Sequence, residues 1–439
     1  MKSKWNKYTI GDIVEINSES LKKGHSLTVI EYLDTSSVTE NNFDNTEILD
    51  ARNAPSRAKR MVQDQDIVIS TVRPNLKHYG FIENPKSNLI VSTGFAVIRC
   101  KTELVEPRYM YYFLSLTSTT NYLSTIADGS TSTYPSIKPS VISELNISLP
   151  ALPTQKKIAH ILSTLDDKIE LNRKMNQTLE EMAQALFKSW FVDFDPVHAR
   201  VGCKTDDELE SAAKEIGISK EVLELFPREF VESEMGMIPL GWEAKILKDF
   251  GRVVTGKTPP KKVEDAYNNI GKPFITPTDV DDSLFVTSTN RHLSESGENA
   301  IKNTVITAGS ICVTCIGSQM GKTIISPYNA CTNQQINSII VNEKSIRNYL
   351  FFNLRSRKNE IFLMGSGGST MPLLNKSSFE KMRVLMPDEN ILRSFNTLVK
   401  NKLELILKND LQTITLAHMR DTLLPKLLSG ELDVSEVQL

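Results

Sequence analysis

The sequence predicts an α+β fold: two repeated mixed α/β domains separated by two long helices, which form an antiparallel coiled coil with pseudo-twofold symmetry. One observation is an internal repeat with a shift of 237 residues, which holds without a gap from Pro135 onward. Another is that each copy has a strand-rich half, a Gly/Ser/Thr loop, a proline and one long apolar-periodic segment. Positions repeated at this shift include Trp5 and Trp242, Pro135 and Pro372, Pro150 and Pro387, Asn172 and Asn409, and Met182 and Met419.

Residues 1–150 form the first predicted domain. Short β-rich runs at 66–72 and 89–93 alternate with turn clusters such as 83–86, which is typical of strands joined by turns. A helix is predicted near 108–114, and the second copy has a matching segment at 347–352. The domain is therefore expected to mix strands and helices.

Residues 151–196 are predicted to form a central spacer helix. No proline or glycine interrupts the segment between Pro153 and Pro196, so the helix is expected to run for about 40 residues, or about 60 Å. Apolar residues recur there by fours and threes, the spacing of a coiled-coil seam. The predicted seam consists of Ile158, Ile161, Leu165, Met175, Leu179, Met182 and Leu186.

The second copy comprises a domain at 239–386 and a C-terminal spacer helix at 387–439, which Gly430 stops. A twofold axis perpendicular to two single-seam helices makes them antiparallel. Asn172 and Asn409 then lie near the helix midpoints and face each other, where a buried amide would penalise slipped registers. The alternative is that both amides point to solvent. The second predicted seam consists of Phe395, Leu398, Leu405, Leu416, Met419 and Leu423.

Residues 197–238 are predicted to be a solvated linker with short helices. The acidic stretch 205–210 leaves a partner-binding role open as the alternative.

Composition narrows the possible functions. The net charge of −2 argues against a broad basic surface, so any contact with nucleic acid should be local or shared with a partner. No apolar leader or run of membrane-spanning length is present, which favours a cytoplasmic location. The five cysteines do not make a secreted disulfide framework.

Two short motifs suggest other chemistry. Residues 251–258 match the phosphate-binding pattern GxxxxGK[ST], but no hydrophobic strand precedes them and Pro259 and Pro260 stand where a helix should begin. Cys312 and Cys315 have zinc-ligand spacing, but no second pair follows, and a buried strand explains Cys312 better. No catalytic or metal constellation stands out, so the sequence does not predict an enzyme.

Four segments resemble one known family: residues 185–196, 226–242, 255–260 and 427–432. Together with the duplication, they make the whole chain similar to the specificity subunits of type I restriction-modification systems. The resemblance implies two target-recognition domains, each reading one half of a bipartite, asymmetric site in double-stranded DNA. It also implies docking of two methyltransferase subunits, with restriction subunits joining the complex. The family does no chemistry itself, so S-adenosylmethionine, ATP and Mg²⁺ are expected in partner subunits.

DNA contact requires cations and small hydroxyls for phosphates, and forked donors or acceptors for bases. Two other functions remain open for the chain as a whole: a P-loop NTPase, and a coiled-coil scaffold without base readout. In the first domain the candidates are Arg57, Lys59, Arg60, Arg73, Lys77, Tyr79, Ser130, Thr131 and Tyr134. In the second domain they are Lys257, Thr258, Lys261, Lys262, Gln319, Lys322, Gln334, Ser369 and Thr370.

Overall fold

In a computed structural model of the protein, the described residues are 5–22, 24–44, 46–129, 135–366 and 372–437. The chain divides into two compact units. Unit 1 comprises Met1–Glu170 with Ile414–Leu439, and unit 2 comprises Leu171–Thr413. Each long helix therefore contributes one half to each unit.

The first part of the chain forms twelve described strands and leads into the first long helix. The strands are β1 (Asn6–Thr9), β2 (Val14–Ile16), β3 (Val29–Leu33), β4 (Val38–Thr39), β5 (Asn42–Phe43), β6 (Glu47–Asp50), β7 (Ala58–Met61), β8 (Ile67–Ser70), β9 (Tyr79–Phe81), β10 (Leu89–Ser92), β11 (Phe95–Cys100) and β12 (Asn146–Leu149). The helices are α1 (Ile10–Ile13), α2 (Pro107–Ser115), α3 (Thr117–Asp128), α4 (Pro139–Ser143) and α5 (Leu152–Phe191).

The second part begins with short helices and then repeats the pattern. The helices are α6 (Asp195–Arg200), α7 (Asp206–Glu215), α8 (Lys220–Leu223), α9 (Glu295–Ala300), α10 (Lys344–Ser356), α11 (Lys358–Gly365), α12 (Lys376–Glu380) and α13 (Glu389–Leu428). The strands are β13 (Phe230–Ser233), β14 (Gly236–Pro239), β15 (Glu243–Ile246), β16 (Gly251–Thr255), β17 (Tyr267–Asn268), β18 (Lys272–Ile275), β19 (His292–Leu293), β20 (Ile311–Thr314), β21 (Thr323–Ile325), β22 (Cys331–Thr332), β23 (Ile336–Val341) and β24 (Arg383–Met386).

An antiparallel four-stranded sheet is common to both domains. Its order is β2-β11-β8-β9 in the first and β16-β23-β20-β21 in the second. The central strands β8 and β20 are short runs in which every residue is buried, because helices and loops cover both faces. The predicted strand over 66–72 and the predicted helix over 108–114 are confirmed as β8 and α2.

A second four-stranded sheet differs between the domains. Its order is β6-β3-β10-β7 in the first and β17-β19-β18-β22 in the second. Both contain one parallel pair, β3 with β10 and β18 with β22.

A two-stranded ladder joins the start of each domain to the strand before its long helix. Asn6 pairs with Leu149, and Glu243 pairs with Met386, so the ladder registers repeat with the 237-residue shift seen in the sequence. The duplicated α+β architecture is thereby confirmed.

The long helices α5 and α13 each span 40 residues, the length predicted for the first, and they pair in an antiparallel arrangement. In unit 2 Asn172 donates to Gln412 over 3.0 Å and Asn176 to Asp410 over 2.7 Å, so contacts advance on one helix as they recede on the other. In unit 1 Arg420 of α13 donates to Asp166 of α5 over 2.8 Å.

The predicted seams were wrong in part. Met175, Met182, Leu398, Leu405 and Met419 are exposed. The buried stripe of α5 keeps Ile158 from the predicted seam and continues through Leu162, Ile169, Asn172, Ala183, Phe187 and Trp190. It includes polar and small residues, which a search for large apolar letters passes over.

The predicted short helices between the two copies are present as α6–α8. The segment is also attached to the core of unit 2, since Phe226 is fully buried and its ring meets the edge of Trp190 with centroids 5.1 Å apart. Within the described part of the chain, no helix is both long and apolar enough to cross a membrane.

Candidate nucleic-acid interface

The turn between β8 and β9 places Arg73 at one end of the first domain's common sheet. Backbone bonds fix the turn on both sides: Thr71 N donates to Gly94 O and Arg73 N to Pro135 O, each over 2.8 Å. Arg73 is exposed, and its φ of 49° lies in the left-handed region. Pro135 follows the loop that contains Ser130, Thr131 and Tyr134, and these three predicted residues lie outside the described residues.

The basic cluster at β7 lies beside this turn. Thr93 N donates to the carbonyl oxygen of Arg57 over 2.8 Å, and the next residue, Gly94, accepts from Thr71. Arg57 also pairs with Asp34 over 2.9 Å. The turn at 93–94 thus joins two predicted contact segments that are distant in the sequence. Of the other two cluster members, Lys59 is exposed and Arg60 donates to Ser20 over 3.2 Å.

Lys77 and Tyr79 lie on the opposite side of the same turn, toward the cleft of unit 1. Lys77 forms an ion pair with Glu40. The Tyr79 ring meets the edge of Tyr111 at 6.2 Å between centroids, and burial raises the pKa of the Tyr79 hydroxyl. The cleft has a volume of about 410 Å³ and is also lined by Arg420.

In the second domain, Lys257, Thr258 and Gln334 meet at the end of β16. Thr258 Oγ1 donates to Gln334 Oε1 over 2.7 Å, and Lys257 N donates to Thr332 O over 2.9 Å. All three predicted side chains are exposed. The strand end therefore presents a cation, a hydroxyl and an amide together.

Gln319 and Lys322 lie in the turn between β20 and β21, at the same end of the common sheet. The turn is closed by Thr314, whose Oγ1 donates to Gln319 O over 2.6 Å and whose backbone N donates to Lys322 O over 2.9 Å. Gln319 is exposed, whereas Lys322 is half-buried and lies 3.7 Å from Asp282.

The remaining predicted residues of the second domain are Lys261, Lys262, Ser369 and Thr370. The two lysines are exposed in the segment that follows Pro260. Ser369 and Thr370 lie outside the described residues. Pro372, just beyond them, accepts from Gly317 N over 3.0 Å, so the end of this loop lies against the β20–β21 turn.

The nucleotide-binding reading of residues 251–258 is wrong. Five of the eight residues form β16, and the next α-helix in the described chain, α9, begins only at Glu295. Gly256 N donates to Ile336 O over 3.0 Å, so loop N–H groups bond within the sheet rather than converging on a phosphate. Gly256 is required for close packing, because a Cβ there would lie 2.2 Å from Asn333 O.

Cys312 and Cys315 are buried in and directly after β20, as the strand interpretation predicts. Burial raises the pKa of both thiols to about 12, so neither is a thiolate at neutral pH. Over the described ranges, no group of three or more His, Cys, Asp or Glu side chains is arranged to hold a metal ion.

Asn172 and Asn409 meet between the long helices. Asn172 Nδ2 lies 3.5 Å from Asn409 O and donates to Gln412 Oε1 over 3.0 Å, while Asn409 Nδ2 donates to Asn176 Oδ1 over 2.9 Å. Asn172 is fully buried and Asn409 nearly so, which contradicts the solvent-facing alternative. Each amide pairs with a neighbour of the other asparagine, and the role in register stays a prediction.

Comparison with known proteins decides the family. The family model for the type I restriction modification DNA specificity domain matches residues 2–181 and 239–415, one match for each copy of the repeat. The chain belongs to this family. It is a DNA sequence-recognition subunit of a type I restriction-modification system, and such specificity subunits work with other subunits of the system and with DNA.

Two relatives support the assignment, and one solved structure shares the fold. The HindI specificity subunit of Haemophilus influenzae is 35% identical over 98% of this chain and 100% of its own length. The MjaIX specificity subunit of Methanocaldococcus jannaschii is 30% identical over 82% of this chain and 76% of its own. A crystal structure of the S subunit from M. genitalium has the same fold, with a TM-score of 0.58, 13% identity and coverage of 97% of this chain and 96% of that one.

Sequence reasoning missed the carboxylates that hold the candidate cations of this specificity subunit. Asp34 pairs with Arg57, Glu40 with Lys77, and Asp282 with Lys322. The partners are 23 to 40 residues apart along the chain, so no helical or strand periodicity links them. These carboxylates orient the cations and reduce local net charge, in keeping with the near-neutral chain.

Proposed function

We propose that this specificity subunit reads a bipartite, asymmetric site in double-stranded DNA, one half with each domain. The observation that carries the proposal is that both domains place polar turns at the same end of the same four-stranded sheet. The residues on those turns differ, with Arg73 and Lys77 on one and Gln319 and Lys322 on the other. A common framework with different exposed donors suits two different half-sites.

Exposed lysines at these strand ends suit phosphate contact. Lys59, Lys257, Lys261 and Lys262 make no ion pair with any residue that the structure describes, and each phosphate contact would release about one counterion. Arg73, Gln319 and Gln334 carry forked groups that suit base edges.

The outer faces of the long helices suit partner subunits. Leu171, Met175 and Met182 lie on one face of α5 and are 51%, 36% and 52% exposed. On α13, Leu398 and Leu405 are likewise exposed. Apolar stripes of this kind mark contact surfaces, and we assign them to the two methyltransferase subunits, which restriction subunits then join.

The chain itself is proposed to do no chemistry. S-adenosylmethionine, ATP and Mg²⁺ would be bound by the partner subunits; in support, the segment that matches a phosphate-binding pattern forms strand β16 and its end.

Mapping methylated adenines in cells that carry the complete system tests this proposal. The wild-type complex should modify an interrupted site with two unlike halves. Arg73→Ala with Lys77→Ala should relax or weaken one half only, and Gln319→Ala with Lys322→Ala should affect the other, by about 1 to 3 kcal/mol per lost base contact. Each double variant serves as the control for the other.

Equal disturbance of both halves by either double variant would contradict modular reading. Methylation without sequence preference by the wild-type complex would favour a coiled-coil scaffold instead.

A further inference from the structure

The turns at 71–79 and 315–323 have the same backbone design. Thr71 O accepts from Ile137 N over 2.9 Å, and Cys315 O accepts from Leu374 N over the same distance. Arg73 N donates to Pro135 O, and Gly317 N donates to Pro372 O. Since Pro135 and Pro372 are equivalent in the repeat, Arg73 and Gly317 occupy the same place in the two domains.

Both turns use left-handed backbone at the same two positions, but with different residues. The first position is Arg73, with φ 49°, or Gly317, with φ 90°. The second is Lys77, with φ 56°, or Gly321, with φ 90°. Glycine adopts this conformation at no steric cost, whereas residues with a Cβ are strained there. The first domain therefore has two long cationic residues at positions whose backbone favours glycine.

The space for a Cβ atom differs between the two positions. Lys77 pairs with Glu40, and Gly321 is required because a Cβ there would lie 2.6 Å from Lys358 O. At Gly317, by contrast, a Cβ would meet nothing within 4 Å. Space therefore does not select the residue at this position, and Arg73 also precedes Pro74, which favours extended backbone instead. A strained, exposed arginine is best explained by what its side chain does.

We propose that Arg73 is a specificity-determining residue, which reads a guanine in one half-site, and that Gly317 is the equivalent but vacant reading position for the other half-site. This inference rests on the proposed function. The two parallel N–H groups of the guanidinium can donate to O6 and N7 of guanine in the major groove. Backbone hydrogen bonds at the turn fix the position from which the Arg73 side chain extends. A phosphate contact would need only a positive charge, which a lysine in relaxed backbone could supply.

The test uses the complete complex and sequencing of bound or methylated DNA. Arg73→Gly should assemble and fold, because the second domain forms the same turn with glycine. It should lose preference for guanine at one position by about 5- to 150-fold and leave every other position unchanged. Arg73→Lys, which keeps the charge but not the planar fork, should weaken the same preference while retaining affinity for non-specific DNA.

The reverse variant tests the vacant position. Gly317→Arg should add a guanine preference at one position of the other half-site, whereas Gly317→Ala, which has the same Cβ strain without the guanidinium, should add none. A new preference in the alanine variant, or none in the arginine variant, would overturn the equivalence.

Several outcomes would overturn the role of Arg73. They are uniform weakening across all sequences with a smaller salt slope, no change in preference, and a complex that fails to assemble with Arg73→Gly while Arg73→Lys behaves as wild type. Failure of the proposed function is distinguishable, because the unmodified complex would then show no bipartite preference at all.

Discussion

The two recognition domains share one sheet and differ in the other. The sheet β2-β11-β8-β9 matches β16-β23-β20-β21 strand for strand. The second sheet differs in its edge strands: β7 lies beside β10 in the first domain, and β17 lies beside β19 in the second. The common sheet is buried on both faces at β8 and β20. Close packing inside this sheet restricts which residues its strands can accept. The turns and edge strands can vary in sequence without exposing the core.

The C-terminal ends of the two long helices also differ in the side chains that they bury at equivalent positions. Phe187, Trp190 and Phe191 near the end of α5 correspond in the repeat to Leu424, Leu427 and Leu428 of α13, and all six are buried. One helix thus ends in an aromatic cluster and the other in a leucine cluster. The same backbone arrangement accepts both, provided that each partner surface is shaped to match.

The largest expected effect is the loss of stability when a large buried side chain is removed from one of these clusters. Trp190→Ala should destabilise unit 2 by about 3 to 5 kcal/mol, because Trp190 is 1% exposed and packs on Phe226, Phe191 and Phe395. Leu427→Ala should cost about 2 to 5 kcal/mol and act on unit 1. Hydrogen exchange resolved by segment would measure both, and loss of protection in the other unit alone would contradict the comparison.

Next come two arginines that form ion pairs with α5: Arg355 of α10, and Arg420 of the other long helix, α13. Arg355 donates to Glu180 over 2.6 Å and to Thr323 O over 3.0 Å, whereas Arg420 pairs with the carboxylates of Asp166 and Asp421. Arg355→Ala should cost about 2 to 4 kcal/mol because it leaves a carboxylate and carbonyl oxygens unpaired in a half-buried site. Arg420→Ala, nearer to solvent, should cost less. Urea unfolding of both variants checks the order, and a larger loss for Arg420→Ala would contradict it.

A smaller effect should appear in the dependence of stability on pH. Burial raises the pKa of Asp410 to about 6, despite the hydrogen bond from Asn176. The folded state then holds a proton that the unfolded state releases near pH 4, so the free energy of unfolding should fall as pH rises from about 4 to about 6. Asp410→Asn should remove this fall and stabilise the protein at pH 7.

The equivalent residue on the first helix is Arg173, so the paired helices are not symmetric in charge at this level. An unchanged pH profile in Asp410→Asn, measured by thermal unfolding from pH 4 to 8, would show that burial of Asp410 is not what sets the dependence.

The smallest expected effect concerns Lys257, which is exposed just beyond the end of β16. Lys257→Ser removes one positive charge from this strand end. DNA binding should weaken slightly, with the slope of log affinity against log salt reduced by about 1, and ATP hydrolysis by the full complex should be unchanged. Loss of hydrolysis with DNA binding intact would restore the nucleotide-binding interpretation that the strand geometry contradicts.

Much of the fold could be predicted from the sequence because the duplication and the long helices leave regular spacings of residues along the chain. The 237-residue shift predicted two copies of one architecture, and the absence of proline and glycine after Pro153 predicted a helix of about 40 residues. The same shift placed Asn172 opposite Asn409, which the structure shows in contact. Periodicity and symmetry are properties of spacing, and spacing is present in the chain itself.

Only the tertiary structure decided which faces and partners those elements use. Met175 and Met182 fit the predicted seam by letter but are exposed, because the buried stripe passes through Asn172 and Ala183 instead. The pairing of Arg57 with Asp34 and the equivalence of Arg73 with Gly317 also arise where the chain folds back on itself. Contacts between segments far apart in sequence depend on sheet order and turn conformation, and residue identity alone does not determine either.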